Sequence, residues 1–146
     1  MDTKTILLVE DNSSDIALTK RALERSHIKN NLVVVEDGAE ALEYLFCTGA
    51  FADRDIHDLP TIIMLDLNLP KVNGLEVLQH IRGNEATKMV PVVILTSSRE
   101  DIDIMSAYNL GANSFVQKPV DFNQFAEAIV QLSLYWLVIN EPPPVK

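Results

Sequence analysis

Apolar residues cluster in five short runs along this chain. Four of these runs are nearly continuous Val, Ile and Leu, and the fifth is weaker. The runs are "TILLV" (5–9), "NLVVV" (31–35), "TIIML" (61–65), "VPVVILT" (90–96) and "SFVQ" (114–117). Continuous rather than alternating apolar runs are typical of strands that are covered on both faces in a parallel sheet. The pattern therefore predicts five strands.

Helical periodicity fills the segments between these runs. The predicted helices cover residues 13–26, 38–47, 75–85, 100–110, and Asp121 to about Ile139, where three consecutive prolines prevent continuation. Strand and helix alternate five times, which predicts an α/β fold with a doubly wound (βα)5 parallel sheet. Residues 48–60 are longer than a usual connection, and we expect a surface loop with some helical extension there.

Length and composition predict one domain, residues 1–139, and a proline-rich tail, residues 140–146. The chain has 146 residues, of which 47% are hydrophobic and 23% are charged. The single cysteine, Cys47, favours a reducing cytoplasm, and neither a secretion signal nor a membrane-length apolar run is present. A net charge of −9 argues against direct nucleic-acid binding. We expect a cytoplasmic protein without membrane contact.

Charged and hydroxyl side chains follow four of the five predicted strands. Glu10 and Asp11 follow the first strand, Asp66 the third, and Lys118 the fifth, while Thr96 ends the fourth. Ligands of open parallel sheets bind beyond the carboxyl ends of the strands. Taken singly, Asp11 is explained equally well as a helix cap and Asp66 as a turn residue. Together they predict one site at this edge of the sheet.

The predicted cluster has the charge and chemistry of a metal site. Three carboxylates sum to −3 and Lys118 returns +1, which leaves room for one divalent ion. Oxygen ligands without nearby His or Cys select Mg²⁺, or Mn²⁺ in its place. Asp66 is then placed as a carboxylate nucleophile of the aspartyl-phosphate type. Lys118 and the Thr96 hydroxyl can bind the phosphoryl oxygens.

The segments "LLVEDN", "MLDLNLPKVNG", "VVILTSS" and "GANSFVQKPVD" together resemble a response regulator receiver domain. The resemblance runs from residue 5 to about residue 138, with every motif in the family's order. It implies a flavodoxin-like fold with strand order 2-1-3-4-5. It also implies a single-domain regulator of a two-component phosphorelay, not an enzyme, that receives a phosphoryl group from a sensor histidine kinase and signals by protein contact.

The resemblance assigns roles to the matching acidic positions. It implies that Asp66 is the phosphoacceptor. It implies that the metal is held directly by Asp11, Asp66 and the backbone carbonyl of Asn68, with Glu10 acting through water. All four residues lie in the quoted motifs.

Three further residues match the family's signalling positions. The resemblance implies that Thr96 is the switch hydroxyl and that Lys118 contacts the phosphoryl group. Phe115 falls where the family has an aromatic side chain that rotates on activation. These assignments imply a two-state switch that couples Thr96 to Phe115.

Residues 48–60, "GANSFVQKPVDFNQF" and "YWLVINEPPP" further resemble the small regulators that work with phytochrome-type kinases of cyanobacteria. This second resemblance implies a phytochrome-type kinase as the partner.

Three other functions compete with the receiver interpretation. A phosphatase of the haloacid dehalogenase type needs a second aspartate two residues after the nucleophile, where this chain has Asn68. A flavodoxin-like nucleotide binder needs glycines or hydroxyls in its first loop, where "VEDNSSD" presents carboxylates. A pseudo-receiver that only binds partners is expected to lack one of the acids or the lysine, and none is lacking.

The last predicted helix has more apolar surface than one sheet can cover. Phe125, Ile129, Leu132 and Trp136 form a stripe suited to the sheet, and Ala126, Val130, Leu134 and Leu137 form a second stripe that we expect to be exposed in a monomer. One interpretation is that the tail folds back and buries itself. The other is a homodimer through the last helix and tail. The predicted interface comprises Val130, Leu134, Tyr135, Trp136, Leu137 and Ile139.

Overall fold

A five-stranded parallel sheet forms the centre of the structure, a computed structural model that describes residues 3–98 and 100–144. The strands lie in the order β2-β1-β3-β4-β5 and every neighbouring pair is parallel. The predicted flavodoxin-like doubly wound fold and its strand order are confirmed. The strands are β1 (Lys4–Val9), β2 (Asn30–Val35), β3 (Ile62–Leu65), β4 (Val92–Thr96) and β5 (Ser114–Gln117).

Five α-helices connect and follow the strands. They are α1 (Ser13–Arg25), α2 (Gly38–Phe46), α3 (Gly74–Gly83), α4 (Asp101–Asn109) and α5 (Phe122–Leu134). Four of them begin at an Asn or Asp whose side chain accepts a hydrogen bond from a first-turn amide, namely Asn12, Asp37, Asn73 and Asp121. Among the residues that the structure describes, no helix is both long enough and apolar enough to span a membrane.

Two apolar layers cover the sheet, one on each face. Leu7 and Val9 of β1 point into the layer that includes α2 and α3, whereas Ile6 and Leu8 point into the layer with α1 and α5. Because side chains alternate along a strand, unbroken apolar runs are needed to supply both layers. This explains the continuous runs in the sequence.

The predicted surface loop over residues 48–60 contains a short 3₁₀ turn, Gly49–Phe51. Arg54 ties this loop to α2, because its guanidinium donates a hydrogen bond to the Tyr44 carbonyl and lies 3.7 Å from the centre of the Tyr44 ring. Phe51 packs edge-on against the same Tyr44 ring at 5.2 Å, so the loop is anchored by one arginine together with apolar contacts of Phe51 and Leu59.

The helix that begins with α5 continues to Ile139, as predicted. Its last five residues, Tyr135–Ile139, form a π-helix rather than an α-helix. Two residues of the stripe expected to be exposed are instead buried: Ala126 and Leu137 are each 3% exposed. That expectation was wrong for them. Bonding from residue i to i+5 in the π-helix changes which side chains face the sheet, so the regular period used for the prediction fails at Leu137. Lys4 Nζ fixes this turn by donating to the Leu137 carbonyl at 2.6 Å.

The remaining apolar side chains at this end are distributed between the interior and the surface. Val130 and Trp136 are half-buried. Four others are exposed, namely Leu134, Tyr135, Val138 and Ile139. We call these four the C-terminal apolar patch.

Candidate metal and phosphoacceptor site

The functional residues are fixed by backbone hydrogen bonds that continue the sheet beyond its regular strands. The Glu10 amide donates to the Val35 carbonyl at 3.0 Å, and the Asp66 amide donates to the Val9 carbonyl at 3.1 Å. The Lys118 amide donates to the Thr96 carbonyl at 2.8 Å. Each residue is therefore held by a neighbouring strand, and only its side chain is free to act.

The turn after Asp66 brings α3 directly against the site. The Gly74 amide donates to the Leu67 carbonyl at 3.0 Å. A Cβ atom at Gly74 would lie 2.2 Å from the Asp66 carbonyl oxygen, a distance that no side chain tolerates. Gly74, the first residue of α3, is therefore needed because the backbone of Asp66 passes so close to it.

Lys118 is the cation at the centre of the site. Its Nζ donates to Glu10 Oε1, to Asp15 Oδ2 at 2.8 Å and to Asp66 Oδ2 at 3.4 Å. The Lys118 side chain is 9% exposed, and those of Glu10 and Asp66 are 3% and 8% exposed. In such surroundings charge is weakly screened, so the ammonium strongly orders the carboxylates around it.

Glu10, Asp11 and Asp66 form the acidic cluster that the sequence predicts. Each offers a carboxylate oxygen, and these oxygens lie within 4.8 Å of one another, with Asp11 exposed and the other two buried. The all-oxygen donor set fits a hard divalent cation. The cluster can thus bind the divalent metal cofactor expected from the sequence.

Asn68 lies at the rim of this cluster. Asn68 is exposed, and its backbone amide donates a hydrogen bond to Asp66 Oδ1 at 3.3 Å. This contact helps to orient the Asp66 carboxylate. The use of the Asn68 carbonyl as a metal ligand stays a prediction.

The protonation of the buried pair follows from its surroundings. Burial raises the pKa of Glu10 from 4.5 to about 7, with a further rise from the charge of Asp66, against the opposing hydrogen bond from Lys118. Burial lowers the pKa of Lys118, but the bonds to Asp15 and Glu10 outweigh it and hold the pKa above its ordinary value. Lys118 is therefore charged throughout the neutral range, whereas Glu10 is the member that can take up a proton.

The two residues expected to act as a switch lie on β4 and β5. Thr96 is fully buried at the end of β4, and its hydroxyl oxygen accepts a hydrogen bond from the Ser98 amide at 3.4 Å. Phe115 is paired with Ile94 across the two strands and packs, half-buried, against the layer of α2 and α3. Their coupling stays a prediction.

One residue of the site was missed by the sequence interpretation. Asp15, in the first turn of α1, contacts Lys118 more closely than Asp66 does. An acidic residue in a first helical turn is ordinary on electrostatic grounds, so its position alone gives no warning. The sequence offers one signal: Asp15 follows Glu10 by only five residues, so the first turn of α1 places its carboxylate near the edge where β1 ends.

Comparisons with known proteins agree with this geometry. The response regulator receiver domain family matches residues 6–130. Response regulator Rcp1 of Synechocystis sp. is 35% identical over 134 residues, which cover 92% of this chain and 89% of Rcp1. The bacteriophytochrome response regulator RtBRR is 52% identical, with a TM-score of 0.78 over 98% of this chain and 86% of RtBRR.

Two further solved structures are similar over nearly the whole chain. The phosphorylated cyanobacterial phytochrome response regulator RcpA has a TM-score of 0.91 and 37% identity, over 98% of this chain and all of RcpA. The Mn²⁺-bound form of Rcp1 has a TM-score of 0.89 and 34% identity, over 97% of this chain and 99% of that structure. The chain belongs to the response regulator receiver domain family, and it is similar to response regulator Rcp1 and to the cyanobacterial phytochrome response regulator RcpA.

Proposed function

We propose that this receiver domain accepts a phosphoryl group on Asp66 from a sensor histidine kinase, with Mg²⁺ as cofactor. One observation carries the proposal. The Asp66 carboxylate is a member of the acidic cluster and also accepts a hydrogen bond from Lys118 Nζ at 3.4 Å. A carboxylate that belongs to a divalent metal site and also contacts an ammonium group is suited to receive a phosphoryl group.

In the proposed reaction an Asp66 carboxylate oxygen attacks the phosphorus of a phosphohistidine. The new P–O bond forms as the P–N bond breaks, and the imidazole nitrogen leaves with the electron pair. Lys118 supplies a charged donor to the phosphoryl oxygens, and Thr96 supplies a hydroxyl. Mg²⁺ would be held directly by Asp11, Asp66 and the Asn68 carbonyl, with Glu10 acting through water, and would supply positive charge to the same oxygens.

Phosphorylation then drives the switch in this proposal. The Thr96 hydroxyl turns toward the phosphoryl group, and Phe115 moves into the space that it leaves. Support comes from the positions of the two residues, which end or lie within the paired strands β4 and β5. A fluorine label on Phe115 is expected to shift on phosphorylation of wild type and to stay unshifted in Thr96→Ala.

The phosphoacceptor is tested with acetyl phosphate and Mg²⁺, followed by intact-mass measurement. Wild type is expected to gain one phosphoryl group, and Asp66→Asn to gain none. Asp58→Asn, on the exposed loop, is a matched control that is expected to behave as wild type. Persistent labelling of Asp66→Asn would place the phosphoacceptor elsewhere, and steady turnover of a phosphate ester would favour the phosphatase.

The metal is tested by direct titration. Asp11→Ala removes a carboxylate oxygen from the acidic cluster, so Mg²⁺ affinity is expected to fall about tenfold or more. Asp53→Ala, an exposed aspartate outside the cluster, serves as the control. Equal affinity in wild type and Asp11→Ala would move the metal site away from this cluster.

A phytochrome-type kinase is the proposed phosphoryl donor, in the cytoplasm. Support comes from the relatives, because RcpA and RtBRR are described as phytochrome and bacteriophytochrome response regulators. The test compares phosphotransfer rates from a purified autophosphorylated phytochrome kinase and from an unrelated histidine kinase. Faster transfer from the unrelated kinase would contradict this partner.

We also propose a homodimer through α5 and the π-helix. The C-terminal apolar patch supports this proposal, and half-buried Val130 and Trp136 border it. Leu137 no longer belongs to the proposed interface because it is buried within one chain.

Sedimentation equilibrium at micromolar concentration tests the dimer. Leu134→Glu combined with Ile139→Glu is expected to give monomers, whereas Met89→Glu, at an exposed apolar position outside the patch, is expected to leave the dimer intact. A wild-type monomer, or a dimer that survives the double substitution, would rule out this interface.

A further inference from the structure

The first three helices begin with the same arrangement of residues. In each, an Asn or Asp cap accepts a hydrogen bond from the amide of the third helical residue, and that third residue is acidic. The third residues are Asp15 in α1, Glu40 in α2 and Glu76 in α3. Three carboxylates in equivalent positions can therefore be compared by what they bind.

Two of these carboxylates serve the start of their own helix. Glu40 Oε1 accepts from the Glu36 amide at 2.9 Å, and Glu76 Oε1 accepts from Asn73 Nδ2 at 3.0 Å. Asp15 differs. Its Oδ2 accepts from Lys118 Nζ at 2.8 Å, across 103 residues of sequence. The position that elsewhere completes a helix cap is used in α1 to bind the site lysine.

The backbone of Asp15 is held from both sides. Its amide donates to Asn12 Oδ1 at 3.0 Å, and its carbonyl accepts from the Thr19 hydroxyl at 2.7 Å. Thr19 is 1% exposed, so this second bond is shielded from water. Asp15 therefore presents its carboxylate from a fixed turn, which is how a residue must be held if it is to fix another.

The three bonds of Lys118 account for the three donors of its ammonium group. Glu10 and Asp66 belong to the acidic cluster, whereas Asp15 does not. Metal binding and phosphorylation both use the carboxylate oxygens of Glu10 and Asp66. The Asp15 oxygens take part in neither, so the hydrogen bond between Asp15 and Lys118 is the one that can persist through the reaction.

We propose that Asp15 is a positioning residue that holds the Lys118 ammonium at the phosphoacceptor edge while Glu10 and Asp66 bind metal and phosphoryl group. This inference rests on the proposed phosphorylation of Asp66. A lysine side chain is flexible, and its donor is most effective when its position is fixed before the phosphoryl group arrives.

The first test is the initial rate of phosphorylation by acetyl phosphate at saturating Mg²⁺. Asp15 does not contact the phosphoryl group itself but holds the Lys118 ammonium that does. Asp15→Ala is therefore expected to slow the reaction roughly threefold to tenfold, which is a smaller effect than removal of the Lys118 donor would have. Asp15→Asn keeps an oxygen acceptor for Nζ and is expected to restore part of the rate. Glu76→Ala, which removes the equivalent acid from α3, is the control and is expected to react at the wild-type rate.

A double-mutant cycle shows whether Asp15 acts through Lys118. If it does, Asp15→Ala has no further effect on the rate in a Lys118→Ala background. The ¹⁵N signal of the Lys118 ammonium gives an independent reading. It is expected to be sharp in wild type and in Glu76→Ala, and to broaden in Asp15→Ala as Nζ becomes mobile.

The possible failures are distinguishable. If wild type accepts no phosphoryl group on Asp66, the proposed function fails and the role of Asp15 fails with it. If wild type is phosphorylated and Asp15→Ala reacts equally fast, only the role of Asp15 is overturned. An equal slowing by Asp15→Ala with and without Lys118 would show that Asp15 acts by helix stability or general charge, which also overturns it.

Discussion

The carboxyl edge of the sheet and the C-terminal end of the chain break the usual distribution of side chains in opposite directions. The edge buries charge, since Glu10 as a whole residue is 2% exposed and Asp66 as a whole residue is 7% exposed. The C-terminal end exposes apolar surface, since Val138 is 58% exposed and Ile139 is 62% exposed. Each departure costs free energy, so each indicates a function that the fold alone does not require.

The two departures are offset in different ways. At the edge, Lys118 donates to three carboxylates within the same chain, and the acidic cluster leaves room for a metal ion. At the C-terminal end, Leu137 turns inward and its carbonyl is bound by Lys4, but the neighbouring patch stays in solvent. The edge offsets its buried charge within one chain, whereas the patch keeps its apolar side chains exposed.

Substitution of Lys118 tests the edge most severely. In metal-free buffer, Lys118→Met is expected to lower the free energy of unfolding by about 2–4 kcal/mol, because removal of one partner leaves buried carboxylates unpaired. Urea denaturation measures the loss, and added Mg²⁺ is expected to recover part of it. The control is Lys88→Met, whose exposed ion pair with Glu85 is worth less than about 1 kcal/mol. Equal losses in the two variants would show that the edge is not specially dependent on its lysine.

Neighbouring residues of the π-helix sharpen the description of the C-terminal end. Leu137→Ala is expected to cost about 2–3 kcal/mol because Leu137 is buried among core residues. Val138→Ala, one residue later and exposed, is expected to change stability by no more than about 0.5 kcal/mol. Thermal or urea denaturation of monomeric protein distinguishes them. A larger loss for Val138→Ala would mean that the π-turn faces the other way.

Two glycines of α3 test how tightly the edge is built. Gly74→Ala places a Cβ against the Asp66 carbonyl and is expected to cost about 1–3 kcal/mol and to slow phosphorylation. Gly83→Ala meets no atom within 4 Å and is expected to be neutral or to stabilise by up to about 1 kcal/mol. A Gly74→Ala protein as stable as Gly83→Ala would show that the backbone behind Asp66 can move freely.

The parts of the structure that follow from local chemistry were predictable. Continuous apolar runs gave the strands, and helical periodicity gave the helices. The meeting of Glu10, Asp66 and Lys118 was also predictable, because parallel strands bring their carboxyl ends to the same edge. Short sequence windows contain the cause of the strands and helices, and the general topology of parallel sheets supplies the cause of the shared edge.

The parts that were missed depend on contacts between distant segments. From the sequence, Asp15 is an ordinary acidic residue in the first turn of a helix. Only the structure shows that Lys118 lies beside it. Leu137 reads as exposed if the helix keeps its regular period, and the π-turn that buries it is stabilised by Lys4 from the other end of the chain. Arg54 likewise anchors its loop through Tyr44. No local pattern encodes these three contacts.

The smallest expected effect is a pH dependence of stability that arises at the carboxyl edge of the sheet and not at the C-terminal end. Because Glu10 has a pKa of about 7 in the fold and 4.5 ordinarily, the folded protein holds a proton between these values that the unfolded chain has released. This contribution to stability is complete below pH 4.5 and is lost as the pH rises through 7.

Urea denaturation of metal-free protein from pH 5 to 8 measures this loss. The difference between wild type and Glu10→Gln isolates it from other titrating groups and is expected to be on the order of 1 kcal/mol. Saturating Mg²⁺ is expected to reduce the dependence, since the metal favours the ionised carboxylate. Leu137→Ala, at the C-terminal end, is expected to lower stability equally at every pH. If Glu10→Gln kept the full pH dependence of wild type, Glu10 would not be the group whose titration changes stability in this range.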